Sequence, residues 1–299
     1  MKNFVLKHTF KNVLKWKENV NNTSAKEEHF GTKWKLEAHR KSDNFACFVY
    51  CMEPFETKRK SIDVEFELKV KTKNNEFVTQ CSKRVFDKVE GWGWKKLIEW
   101  EDLRENYLVD GNLTVECHFQ IKKYVGVYKD NLRSFDETME EFSDVVLVVN
   151  GQKFYVLSKF LAAHSPYFKA MFMGNFNESS QLEIKLSGID ADDFQNFLEV
   201  LYGEPAIDDY TVEGIFVLSD MYDTQTVMNK CETFLLKESK KTLKKKLELA
   251  VRYNLNQLMK DCLSHVNSFD DVRSVIPGDI RDMDPSLTTA LLEKSLSFE

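Results

Sequence analysis

Ile62, Val64, Phe66, Leu68 and Val70 alternate with Asp63, Glu65, Glu67 and Lys69. A period of two puts the apolar set on one face of an extended chain and the charged set on the other, which predicts a half-buried β-strand. Leu113, Val115, Cys117, Phe119 and Ile121 repeat the pattern against Thr114, Glu116, His118 and Gln120, and Asp110-Gly111 stands before them as a turn signal. Shorter runs predict strands at residues 4–10, 33–38, 45–52, 76–81 and 85–89. Many short strands joined by polar turns imply a sandwich, because each has one apolar face to bury.

The period changes near residue 126. Leu132, Phe135 and Met139 are spaced for one face of a helix in an otherwise charged stretch. Asp144 leads into the continuous apolar strand 145–149, Asn150-Gly151 predicts a type I′ hairpin, and 153–156 is the return strand. Ser165-Pro166 is an N-cap followed by proline at the first helical position, and it launches a helix over 167–173. A strand alternates over 182–186. Asp190 then caps a helix with Phe194, Phe197, Leu198 and Leu201 on its apolar face, closed by Gly203. Four more helical stripes follow: Val212, Ile215 and Phe216; Val227, Cys231, Phe234 and Leu235; Leu243, Leu247 and Ala250; then Leu255, Leu258, Met259, Cys262 and Val266. Pro277-Gly278 breaks the chain before a last short helix at 286–296.

With 299 residues the chain exceeds what one core usually serves, so two domains and a helical appendage are expected. The net charge of −6 hides an asymmetry. Residues 1–125 carry 24 Lys/Arg against 19 Asp/Glu, and the remainder carries 18 against 29. So mild a basic excess, spread over a domain, is not the concentrated stripe that nucleic-acid binding needs. Residues 1–10 lack an apolar signal-peptide core, and no segment approaches the roughly 18 apolar residues of a membrane span. A reducing compartment, cytoplasmic or nuclear, and six free thiols are therefore expected.

No constellation advertises catalysis. His-Glu-x-x-His, Gly-x-Ser-x-Gly, a phosphate-binding glycine loop and Cys-x-x-Cys are all missing from the sequence. Cys47 and Cys51, four apart, read as buried thiols sharing a strand face rather than as zinc ligands. The run Lys240, Lys241, Lys244, Lys245 and Lys246 reads as a solvated helix face, with Glu248 placed to pair with Lys244; a nuclear-import patch is the rival reading. A non-catalytic protein without metal or cofactor is expected. An enzyme would need matched acid and base groups in a pocket, for instance beside His29, His39 or His118.

Two resemblances sharpen this outline. Phe142-Ser143-Asp144-Val145-Val146-Leu147, then Leu161-Ala162-Ala163-His164-Ser165-Pro166-Tyr167-Phe168 and Leu201-Tyr202-Gly203, resemble the BTB (POZ) fold. The family's frequent His-Lys pair is replaced here by Leu157-Ser158. His8-Thr9-Phe10, Glu27-Glu28-His29-Phe30-Gly31, Gly91-Trp92-Gly93-Trp94-Lys95-Lys96 and Tyr107-Leu108-Val109-Asp110-Gly111 are similar to a MATH (TRAF-like) domain. The whole resembles the MATH–BTB family, which includes the speckle-type POZ substrate adaptors. It implies an all-β MATH/TRAF-like sandwich over 1–125, a linker and dimerisation helix over 126–141, an α+β BTB/POZ domain over 142–239, and a partial BACK-like helical extension over 240–299.

The resemblance also implies a function: substrate adaptor of a cullin-three RING ubiquitin ligase, with a self-associating scaffold free of any ligase as the alternative. The MATH-like part would bind a short degron peptide, with no nucleic acid and no membrane involved. Phe48, Arg84, Lys88, Glu90, Trp92 and Trp94 are the candidate peptide contacts. The BTB-like part would dock a cullin through Met171, Phe172, Phe176, Asn177, Glu178 and Tyr202. Leu132, Phe135 and Met139 are the candidate homodimer seam, because an amphipathic helix ahead of the BTB core must bury its face.

Overall fold

Alternation that predicts strands does form them. The computed structural model describes residues 2–52, 61–125, 131–174, 183–276, 283–296 and 298. The chain divides into two compact units, one built on the first 128 residues and one on most of the rest.

The first unit has two sheets. One is antiparallel and runs β1 (Lys2–Phe10), β9 (Leu113–Val125), β6 (Ser61–Lys71), β7 (Phe77–Phe86) in spatial order. The other runs β2 (Asn22–Thr23), β4 (Thr32–Lys41), β5 (Asn44–Cys51), β8 (Glu90–Glu99), with β3 (Glu27–His29) also paired to β4. Helix α1 (Trp100–Asn106) follows β8. The apolar alternation of β6 and β9 faces inward: Ile62, Val64, Leu68, Val70, Val115 and Cys117 are all fully buried. Trp34 sits at the centre, 5.6 Å from Phe4, 5.6 Å from Phe86 and 5.1 Å from Phe119 between ring centroids. Burying each such ring is worth about 3 kcal/mol, and this aromatic cluster supplies much of the core of the sandwich.

Two expectations change here. Residues 76–81 and 85–89 were expected as separate strands, yet β7 runs unbroken through Phe86. Its inner-face residues Gln80, Ser82 and Arg84 stand opposite buried Leu68, Phe66 and Val64. They are polar because β7 is the last strand of its sheet, so the hydrophobic period fades although the strand continues. No strand is expected over residues 90–99, yet Trp92 and Trp94 lie within β8.

The second unit mixes a small sheet with helices. β10 (Val145–Val149) pairs antiparallel with β11 (Gln152–Val156) across Asn150 and Gly151, both at positive φ (49° and 86°), as a type I′ turn requires. β12 (Glu183–Leu186) adds parallel to β10. α2 (Ser158–His164) and α3 (Pro166–Met173) meet at Ser165, whose hydroxyl accepts from the Phe168 amide at 3.1 Å and donates to the Tyr222 carbonyl. Asp190 caps α4 (Ala191–Leu201), accepting from the Asp193 amide, and Gly203 at φ 101° ends the element. Then come α5 (Val212–Met221), α6 (Gln225–Lys237), α7 (Leu243–Arg252), α8 (Asn256–Ser264), α9 (Phe269–Val275) and α10 (Pro285–Ser295). Among the described residues no helix is long and apolar enough to cross a membrane.

The predicted amphipathic helix through Leu132, Phe135 and Met139 is not present. Instead a 3-10 helix spans Glu137–Phe142, capped by Asp136, and it buries none of its residues. The basic run also departs from expectation. Lys241 and Lys245 are buried, 2.9 and 3.1 Å from the two carboxylate oxygens of buried Glu213 on α5. Glu248 pairs with Lys245 at 3.5 Å. These lysines face inward to an acid 28 and 32 residues upstream, so the run is not one solvated face.

Candidate peptide-binding edge and docking cleft

The strands β7 and β8 end their respective sheets, and only residues 87–89 separate them in sequence. Among the described residues β8 has one strand neighbour, β5, and its other edge offers unpaired backbone groups. Glu90, Trp92 and Trp94 stand opposite buried Cys51, Val49 and Cys47, so all three point to the inner side of the sandwich. Trp94 packs into the core, 5.9 Å from Phe66 in an edge-on contact. Trp92 stays 39% exposed, so it can both close the sandwich and touch a ligand.

A polar set fixes the Trp92 ring. Its Nε1 donates to Ser82 Oγ at 3.0 Å. The Arg84 guanidinium lies over the ring, 4.2 Å from its centroid, and one of its nitrogens reaches Glu90 Oε1 at 2.6 Å. Lys88 approaches the other Glu90 oxygen at 3.6 Å and is itself largely exposed. Arg84, Lys88, Glu90 and Trp92 are thus gathered at one place, with Trp94 behind them. Ser82 was missed in sequence because it falls between the two predicted strands.

Phe48 is not part of this group. It pairs with Gly93 on the outer face of the sheet and stacks on His39, 5.7 Å away. The glycines have a definite cause. A Cβ on Gly93 would come within 2.2 Å of the Cys47 carbonyl oxygen, and one on Gly91 within 2.4 Å of the Tyr50 ring. The close approach is to the neighbouring strand. Cys47 and Cys51 do share a strand face, and it is the core face; burial pushes the Cys47 thiol up to about 12. His29, His39 and His118 lie in the same unit: His29 stacks on Phe4, His39 on Phe48, and His118 is 3.2 Å from Glu116 on an outward strand face.

In the second unit Met171 lines a cleft of about 380 Å³ with Tyr167 and Ala170 of α3, Ile184 and Leu186 of β12, and Met221 at the end of α5. Tyr167 and Met221 are exposed, and neither is among the docking residues that the sequence suggests. Phe172 stacks on Phe168 at 5.7 Å within the domain. Phe176, Asn177 and Glu178 lie outside the described residues. Tyr202 belongs to another cluster: it packs 5.2 Å from Phe135, 4.4 Å from Phe160 and under Arg133, and its hydroxyl accepts from the Leu157 amide at 3.4 Å. Burial raises its phenol above the ordinary value.

The three seam candidates also separate. Phe135 is only 3% exposed because it packs on Tyr202 of its own domain, with its carbonyl held by the Tyr155 amide at 2.8 Å. Leu132 is 45% exposed and Met139 half-buried. Neither a continuous apolar face nor the helix that would carry it is present in this segment.

Comparison with known proteins agrees with both halves. The MATH domain profile matches residues 10–121 and the BTB/POZ domain profile residues 135–239. BTB and MATH domain-containing protein 15 of Caenorhabditis elegans is 41% identical over 268 residues, covering 89% of this chain and 98% of that protein. Protein 45 of the same series is 32% identical over 281 residues, and there the match spans 60% of the relative's length. Kelch repeat and BTB domain-containing protein 2 of Homo sapiens is 34% identical over 110 residues, 36% of this chain and 18% of that protein. With a β-sandwich first unit, a mixed second unit, both domain profiles matched and a relative 41% identical over 98% of its length, the chain belongs to the family of BTB and MATH domain-containing proteins.

Proposed function

We propose that this protein is a substrate adaptor of a cullin-RING ubiquitin ligase, itself non-catalytic and acting in the cytoplasm or nucleus. The observation that carries the reading is the open edge of β8. Its main-chain groups can add an extended peptide as a further strand, and Trp92, held by Arg84 and Ser82, supplies an exposed aromatic wall. Aromatic walls of this kind concentrate binding energy, because they bury large area at small entropy cost.

The second module would hold the cullin. The cleft between α3, β12 and α5 is apolar at Met171, Ile184 and Met221, of a size to take one or two side chains of a partner helix. Phe176 and Glu178 would extend that contact. The module would also pair with a second copy, through a surface that does not use Phe135.

Co-purification tests both halves. Full-length protein is expected to retain a cullin scaffold, and Met171→Asp is expected to release it while target binding persists. Trp92→Ala is expected to lose targets and keep the cullin. Self-association without any cullin would instead identify a scaffold, the alternative reading. A monomer in sedimentation at micromolar concentration would remove the dimer.

A further inference from the structure

The edge of β8 is not electrically neutral. Residues 82–96, which contain the inner end of β7, the connection and the exposed part of β8, carry five cations against two carboxylates. Some of that charge is already matched. Lys83 points to the outer face and pairs with Glu65 at 2.5 Å, and Glu90 serves Arg84 and Lys88 together. Lys95 and Lys96 differ. Both are exposed, and neither has an ion-pair partner among the described residues. They stand where β8 loses its regular pairing: Cys47 pairs with Trp94, but the next partner, Phe45, meets Ile98. The irregularity leaves residues 95–97 without a partner on β5 and turns two lysines out at the end of the free edge. At the other end, the Arg84 Nε is buried and has no hydrogen-bond acceptor among the described residues.

We infer that this edge selects an acidic peptide: an extended segment that lays an apolar side chain on Trp92 and brings a carboxylate side chain, three residues away, to Lys95 and Lys96. The inference rests on the peptide-binding reading proposed above and specifies its ligand. The spacing follows from strand geometry, since three residues of β8 separate Trp92 from Lys95, or about 10 Å at roughly 3.3 Å per residue. A peptide paired with β8 advances at the same rate, so its apolar and acidic residues must be spaced alike. The anion is assigned as a carboxylate because the unmatched cations are two exposed lysines with no uncommitted arginine fork beside them, a weak site suited to one negative charge rather than to the nearly two of a phosphate. The one arginine fork, Arg84, is already committed to Glu90 and to the face of Trp92.

Fluorescence anisotropy with the full-length chain tests this. The probes are fluorescein-labelled octapeptides with a fixed Leu and, three residues away in either direction, Glu, Gln, Lys or phosphoserine. The Glu peptide is expected to bind about fivefold tighter than the Gln peptide, as one solvent-exposed ion pair allows, and the Lys peptide weakest. That preference is expected to shrink as salt is raised, because exposed charges are screened beyond about 8 Å at physiological ionic strength. In a Lys95→Gln/Lys96→Gln variant, whose two replaced side chains are exposed, the Glu and Gln peptides are expected to bind alike. Equal affinity of Glu and Gln peptides for the natural chain would overturn the inference while leaving the peptide edge intact. So would a preference that survives the double variant, or tight binding of the phosphoserine peptide alone. Failure of every peptide, with no response to Trp92→Ala, would overturn the edge reading itself.

Discussion

At the scale of single residues, neighbours two positions apart have different surroundings. Trp92 and Trp94 point to the same side of β8, yet one stays 39% exposed and the other packs on the core. Gly93 between them packs against the main chain of β5. Gly93→Ala is expected to destabilise the protein by about 2 kcal/mol, read as a lower urea midpoint, because the carbonyl it would strike belongs to a strand and cannot give way. The cysteines diverge in the same manner. Cys81 is exposed on β7 and the other five are not. Burial pushes Cys47 up to about 12 and Cys262 up to about 11, and raises Cys117 well above its ordinary value. Under native conditions near pH 7.5, iodoacetamide is expected to alkylate Cys81 first, with mass spectrometry showing one fast adduct and the rest only on unfolding.

At the scale of elements, secondary structure that satisfies its own sequence period was legible, and structure imposed by a neighbour was not. β6, β9, the β10–β11 hairpin and α3 were readable because alternation, an Asn-Gly turn and a Ser-Pro cap are local signals. β7 was split in two because its edge position lets its inner face be polar. The segment of Leu132 and Phe135 was read as a helix because its spacing fits one, whereas Phe135 is held instead by Tyr202 and Tyr155. Lys241, just ahead of α7, and Lys245 within it are the sharpest case. Glu213 holds Lys241 and Lys245 and so ties α7 to α5. Glu213→Gln is expected to lower stability by about 3 kcal/mol, since two buried ammonium groups lose the carboxylate they share. Glu213→Leu combined with Lys241→Met and Lys245→Met is expected to recover most of it. Urea unfolding of the two variants distinguishes an ionic tie from simple packing.

At the scale of the whole molecule, the two units divide the labour expected of an adaptor: an open strand edge in one and an apolar cleft in the other. If the second unit pairs two chains, two edges are carried together, and a target with two suitable segments binds the second one intramolecularly. A synthetic peptide bearing two Leu-x-x-Glu segments on a long flexible linker is expected to bind at least 100-fold tighter than either segment alone. The gain is expected to vanish when the linker is too short to span both edges, which titration with a linker series measures.

The sequence by itself determined the order of the modules, most of their strands and helices, and the aromatic stretch around Trp92. All of these depend on residues near one another in the chain, where period and capping act directly. Tertiary structure decided which face each aromatic meets, which charges are buried and which strands are left as edges. Phe48 went to the outer face, Lys241 and Lys245 went inside, and Phe135 was taken up within its own domain. Each of these outcomes was set by a partner distant in sequence, and a one-dimensional pattern carries no record of which distant residue will face it.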